Sequence, residues 1–199
     1  VTQDLDERRE YFRIDDSLRL SYRKIEADSL ERRITSLEQG QECDFTVVSS
    51  LAAITQEMSG TLHKIESSER DIAAYLKSID RKLDILGRAF LAQSSELIDQ
   101  PVQAVNLSAT GISFEVTTPL EPATLLELKI LLTPSYSGIL CYAEVIACES
   151  DGGRAGCYPL RTRFLHLREQ DRDLLIQHVI QRQGEVIREA RKRQEQERP

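Results

Sequence analysis

The chain is predicted to be an α+β protein: a six-stranded antiparallel β-barrel with a C-terminal helix, interrupted by a long helical coiled-coil insertion. Three observations predict this. Apolar residues alternate with period two at 17–25 and again between 101 and 167, in short runs bounded by Pro, Gly and Ser. Between these runs the apolar period lengthens to about 3.5, the spacing of a coiled-coil seam. From Glu169 to about Arg193 helical spacing returns, with Leu175, Ile176, Val179 and Ile180 expected to face inward. The implied organisation is an N-terminal arm and first strand at 1–26, a helical insert at 27–98, the rest of the barrel at 99–168 and a C-terminal helix at 169–199.

Residues 1–13 carry no hydrophobic periodicity and read as an arm. Leu18, Leu20 and Tyr22 alternate with Arg19, Ser21 and Arg23, which predicts a half-buried strand over 17–25. Asp28 or Ser29 can then cap a helix that carries Leu30, Ile34 and Leu37 on one face. Gly40 and Gln41 interrupt it. A second helical stretch places Val47, Leu51, Ile54 and Met58 together, and Ser59-Gly60 is its expected weak point.

Leu62 and Ile65 restart the pattern in a shifted phase. Ile72, Leu76, Ile79, Leu83, Leu86 and Phe90 continue it, with Glu69 the off-type residue in the seam. A helix over 60–97 would be roughly 55 Å long at 1.5 Å per residue. It would outrun a small barrel, so its stripe needs a copy of itself as cover, which predicts a homo-oligomer. The seam alone leaves two chains or four open. The competing arrangement is an intramolecular hairpin, with 42–58 folded back on 60–97.

The β pattern resumes near 101 with Val102, Ala104 and Asn106 alternating with Gln103 and Val105. Ile112, Phe114 and Val116 follow, then a turn at Pro119 and Pro122, then Leu126, Leu128, Ile130 and Leu132. Pro134 to Gly138 reverses the chain. Leu140, Tyr142, Glu144 and Ile146 share one face, while Cys141 and Val145 indicate that the other is covered as well. Asp151-Gly152-Gly153 reads as a hairpin turn. Residues 155–167 supply the last strand, and six short strands at this spacing predict closure into a barrel.

Composition narrows the function. A net charge of −7 argues against general nucleic-acid binding, which wants a basic surface. No run approaches the ~20 apolar residues of a membrane span. Cys43, Cys141, Cys148 and Cys157 lack CxxC spacing and read as free thiols of a cytoplasmic protein. His63, His166 and His178 form no ligand pair, no metal site is expected, and no nucleophile–base pair is present, so the chain does not read as an enzyme.

The local exception to the acidic balance is Arg8-Arg9-Glu10-Tyr11-Phe12-Arg13. A guanidinium is planar and always charged, and its forked donors fit phosphate or a guanine O6/N7 edge. Three of them on one short segment can close over an anionic purine ligand. Far downstream, Asn106-Leu107-Ser108-Ala109-Thr110-Gly111 links two strand-like runs.

Taken together, Arg9-x-x-x-Arg13 and Asn106-x-Ser108-x-x-Gly111 resemble the paired motifs of the PilZ family, bacterial receptors for cyclic di-GMP. The resemblance covers about 7–26 and 100–182. It implies that Arg9 and Arg13 grip phosphate and guanine, and that Asn106 and Ser108 offer side-chain hydrogen bonds from the barrel surface. Gly111 then serves a tight turn or a close approach of ligand. Arg8, just before the motif, goes in relatives with a stacked ligand dimer, whose outer face it would seal. Tyr11 and Phe12 are read as anchors of the arm in the core, with stacking on guanine as the alternative. Arg161 and Arg163 could add charge. The helical insert resembles a rarer type of this family, whose heptad helix builds a parallel four-chain bundle. A tetramer is therefore favoured over a dimer. The rival reading is a ligand-independent scaffold with the same fold and a solvated arm.

Overall fold

The computed structural model describes residues 12–40, 43–94, 97, 100–133, 137–149 and 156–196. Its elements run β1 (Ile14–Lys24), α1 (Ala27–Glu38), α2 (Cys43–Ser68), α3 (Arg70–Ser94), β2 (Gln103–Ser108), β3 (Gly111–Val116), β4 (Leu125–Leu132), β5 (Ser137–Cys148), β6 (Tyr158–His166) and α4 (Glu169–Gln196). The strands close into an antiparallel barrel in the order β1-β2-β3-β6-β5-β4. β1 closes it by pairing β2 with its first half and β4 with its second.

β1 starts three residues before the expected position. Asp16 occupies an inward place between Ile14 and Leu18, which breaks the apolar alternation that marks a strand in sequence. The carboxylate is tolerated there because α4 supplies partners. His178 Nε2 lies 2.6 Å from Asp16 Oδ2, and Arg182 Nε donates to Asp16 Oδ1 at 3.1 Å. The same pairing corrects the inward face of α4. Leu174, Leu175, His178 and Val179 are buried, while Ile180 is exposed. Leu175 and Val179 join Leu18, Leu107, Phe114, Leu128, Ile139 and others in the barrel core.

The insert leaves the barrel after β1 and settles on the outer face of β4 and β5. Leu30, Ile34 and Leu37 of α1, Val48 of α2 and Leu97 pack with Leu131, Leu140 and Tyr142. Glu127, buried on β4, pairs with Arg23 of β1 and Arg33 of α1. Both faces of β4 and β5 are thus covered, and near-continuous apolar runs such as Leu125–Leu132 are the consequence. Neither Asp28 nor Ser29 caps α1. Glu26 holds the cap position without a side-chain bond, and the Ser29 hydroxyl donates to the Glu26 carbonyl.

The long helices take the hairpin alternative, with a different turn. α2 runs through Ser59-Gly60 to Ser68, and α3 packs back along it. Gly87 of α3 lies against Val48 and Leu51 of α2, and Lys77 pairs with Glu66. A glycine inside a helix costs only about 1 kcal/mol, too little to end α2 where packing continues. The chain reverses at Glu69, the off-type seam residue. There Ser67 and Ser68 turn their hydroxyls back onto preceding carbonyls, which competes with the helical ladder.

α4 is fixed to α2 at its start. Arg168 donates to both oxygens of Asp171, at 2.7 and 2.9 Å, and to the Ser49 hydroxyl at 2.7 Å. Burial pushes the Asp171 carboxyl above its ordinary range, and Arg168 and Ser49 only partly offset it. No described helix is long and apolar enough to cross a membrane.

Candidate ligand site

Strand register builds the site. Asp15 of β1 lies opposite Asn106 of β2, Asn106 opposite Ser113 of β3, and Ser113 opposite Arg161 of β6. Alternation directs all four outward. Neighbouring strands are about 4.8 Å apart, so the row spans roughly 14 Å across the sheet.

Ile14 pairs with Leu107, which carries the residue before it onto β2. Arg13 NH1 donates to Asn106 Oδ1 at 3.1 Å, across 93 positions of sequence. Asn106 Nδ2 in turn donates to Asp15 Oδ1 at 2.8 Å. The amide is held at both ends, with its orientation fixed by a cation on one side and a carboxylate on the other. Arg8, Arg9 and Tyr11 lie outside the described residues. Phe12 is 74% exposed, so the expected anchoring of this residue in the core is not realised.

Two motif residues turn out to face the protein. Ser108 is buried, where a barrel-surface donor was expected. Its hydroxyl donates to the Gly111 carbonyl at 3.2 Å and lies 3.3 Å from Thr110 Oγ1, pinning the β2–β3 turn. Gly111 is glycine because of β6. A Cβ there would sit 2.2 Å from the Thr162 carbonyl oxygen and 3.3 Å from Arg163 Cα. Backbone approach, rather than ligand approach or a special φ, is what the structure requires of it. Thr162 Oγ1 adds a bond to the Ile112 carbonyl at 2.8 Å.

A cleft of about 420 Å³ opens beside the row, lined by Asp15, Asn106, Ser113, Glu115, Pro159 and Arg182 among others. Asp15, Ser113, Glu115 and Arg182 were not singled out by sequence. Register alone could have found Ser113, two residues beyond the motif glycine, whereas Arg182 comes from α4 and is placed by packing. Arg163 is paired with Glu144 at 2.7 Å, away from the row. Burial alone would push the Asp16 carboxyl up. The hydrogen bond with His178, the Ser17 amide and the pull of His178 and Arg182 outweigh that and hold it below its ordinary value.

The face therefore mixes cations at Arg13, Arg161 and Arg182 with acceptors at Asp15, Glu115 and the Asn106 amide. Such a set matches a ligand that carries both negative charge and N–H edges better than a bare anion. No group of three His, Cys, Asp or Glu among the described residues could hold a metal ion. Cys141, Cys148 and Cys157 are free, and burial pushes the Cys141 thiol far up.

A closed six-stranded barrel whose core is completed by α4, with a polar, cation-bearing outer row, defines a barrel module with one open polar face. The chain belongs to the PilZ domain family, whose model matches residues 80–181. No curated protein matches it. Among solved structures it is similar to a tetrameric PilZ-domain protein from Xanthomonas campestris, self-assembled via an unusual helical bundle. That likeness has 18% identity, 90% of this chain and 92% of that one covered, and a TM-score of 0.54. Weaker likenesses are to the Bacillus subtilis inhibitor of motility MotI/DgrA (14% identity, 89% and 52% covered, TM-score 0.46) and to the PilZ domain of Escherichia coli YcgR with c-di-GMP (19% identity, 49% and 81% covered, TM-score 0.33).

Proposed function

We propose that this protein is a cyclic di-GMP receptor and adaptor, without a catalytic step, that acts in the cytoplasm as an oligomer. Arg8, Arg9 and Arg13 bind phosphate and guanine from the arm, and Asn106 meets the guanine edge from the barrel. Ser108 and Gly111 serve the same site indirectly, by fixing the turn that carries Asn106. Arg8 closes over a second, stacked ligand molecule. The observation that carries this reading is the Arg13–Asn106 hydrogen bond. The two halves of the motif meet although a helical module is inserted between them.

Assembly is assigned to the insert at 27–98. Folding back as a hairpin leaves apolar residues of both helices uncovered, among them Ile54, Met58, Ile72, Leu86 and Phe90; Leu86 is 64% exposed. A run of this kind on a soluble chain marks an interface. A second hairpin offers the same stripe in return, and two such pairs make a four-chain bundle. The Xanthomonas relative is itself a tetramer built on helices.

Titration calorimetry with cyclic di-GMP tests the receptor. Wild type is expected to bind two ligands per chain, and Arg9→Ala/Arg13→Ala to lose binding at least tenfold. Absence of heat up to high micromolar ligand returns the protein to the scaffold reading. One ligand per chain removes the stacked dimer alone. Sedimentation of Leu86→Asp/Phe90→Asp should give a smaller particle than wild type; an unchanged mass contradicts the interface.

A further inference from the structure

We infer that Arg182, on the C-terminal helix, is a further binding residue of the Asn106 cleft, donating to a phosphate of the ligand from the α4 side. The inference rests on the cyclic di-GMP reading above and adds a residue that the arm and strand motifs do not contain. Arg182 lines the same cleft as Asn106 and Ser113. Its side chain is 34% exposed, so it is accessible to a ligand in the cleft that it lines.

Its geometry is that of a prepared contact. Nε and NH2 face Asp16 Oδ1 at 3.1 and 2.9 Å, and NH1 donates to Glu185 Oε2 at 2.6 Å. A guanidinium has five N–H donors, so the outer hydrogens of the two terminal nitrogens remain for a ligand. The rotamer is already fixed by two carboxylates, and binding loses little further side-chain entropy. Nor does sharing Arg182 strand a buried charge. Asp16 keeps His178 on its other oxygen at 2.6 Å and the Ser17 amide on Oδ1 at 2.8 Å.

Charge makes the residue necessary. Asp15, Asp16 and Glu115 put three carboxylates around the cleft. A ligand with two phosphates meets repulsion there unless cations stand close by. Arg13 stands beside Asn106, and Arg182 lines the cleft from α4.

Calorimetric titration with cyclic di-GMP at two salt concentrations tests this on wild type, Arg182→Gln, Asp16→Asn and Arg13→Ala, with thermal melts of each. Arg182→Gln should weaken binding at least tenfold and flatten its salt dependence. Asp16→Asn, which removes negative charge but keeps shape, should bind at least as tightly as wild type. A merely structural role for the pair would instead make both substitutions lower melting temperature and affinity in parallel, and that result overturns the inference. Arg182→Gln binding within twofold of wild type, while Arg13→Ala is impaired, overturns it and leaves the receptor reading standing. Silence from wild type overturns both together.

Discussion

The two outer faces of the barrel start from the same material and end differently. On β4 and β5 the outward residues include Leu131, Leu140 and Tyr142, each no more than 1% exposed beneath α1 and α2. On β1, β2, β3 and β6 the outward row is Asp15, Asn106, Ser113 and Arg161, half-buried or exposed, with Arg182 of α4 at the edge of its cleft. Both obey the strand alternation. The difference is whether an apolar counter-face arrives from elsewhere in the chain. The insert covers the side whose outward residues are apolar. The open face is the one available for recognition.

Breaking the covered face should have the largest effect. Leu140→Ala removes a buried side chain between β5 and the insert and is expected to cost about 2–5 kcal/mol. Chemical denaturation measures it, and the folded fraction should still bind ligand like wild type. If binding fails with stability intact, the two faces are not separable as described.

Next is Gly111→Ala, which probes the seam between the faces. The added methyl collides with backbone, so β6 or the turn must shift, at about 1–3 kcal/mol. Unlike Leu140→Ala, this variant should also weaken ligand binding, because the turn sets Asn106. A variant of wild-type melting temperature would show that the turn gives way freely.

A smaller effect is expected at the end of the row. Arg161→Ala removes an exposed cation opposite Ser113, and its loss should weaken binding only about two- to fivefold, in keeping with the ~0.2–1 kcal/mol of solvent-exposed charge pairs. The loss should vanish at high salt; one that persists would place Arg161 in direct, desolvated contact.

The effect smallest at neutral pH is the acid limb. Asp16 has a folded pKa below its ordinary value of 3.8. Its stabilisation is therefore complete above that value and is lost as pH falls through the lower folded one. Unfolding curves below pH 4 should be less steep for Asp16→Asn than for wild type. Equal slopes would mean that the carboxylate is not held by His178 and Arg182.

Much of the barrel was legible because one face of every strand is filled by the chain's own core. Ile112, Phe114 and Val116, or Leu126, Leu128 and Ile130, carry the period-two signal without interference. Legibility failed where a polar residue stands at a core position with a distant partner. Asp16 hid the start of β1, and His178 rotated the inward face of α4, because each is acceptable only with the other present. The helical turn was misplaced for a related reason. Ser59-Gly60 has the composition of a break, yet it lies exposed within an unbroken α2 whose flanks pack on α3, and the turn falls at the exposed Glu69.

The motif divides along the same line. Arg13 and Asn106 were recognisable as chemistry, since forked donors and an amide suit a charged purine whatever surrounds them. Ser108 and Gly111 were recognisable only as pattern. Their reasons lie in the Thr110 turn and in the Thr162 backbone of a strand some fifty residues away.

What the amino-acid order determined by itself was periodicity, and with it the number and kind of elements, because burial of one face requires only a local repeat. It also determined which residue types were available for an anionic purine. Tertiary structure decided which outer face stayed open, where the helical hairpin turned, and that Arg182 of α4 would line the same cleft as Asn106 of β2. These depend on contacts between positions far apart in the chain, and no local repeat encodes a partner that only packing brings within reach.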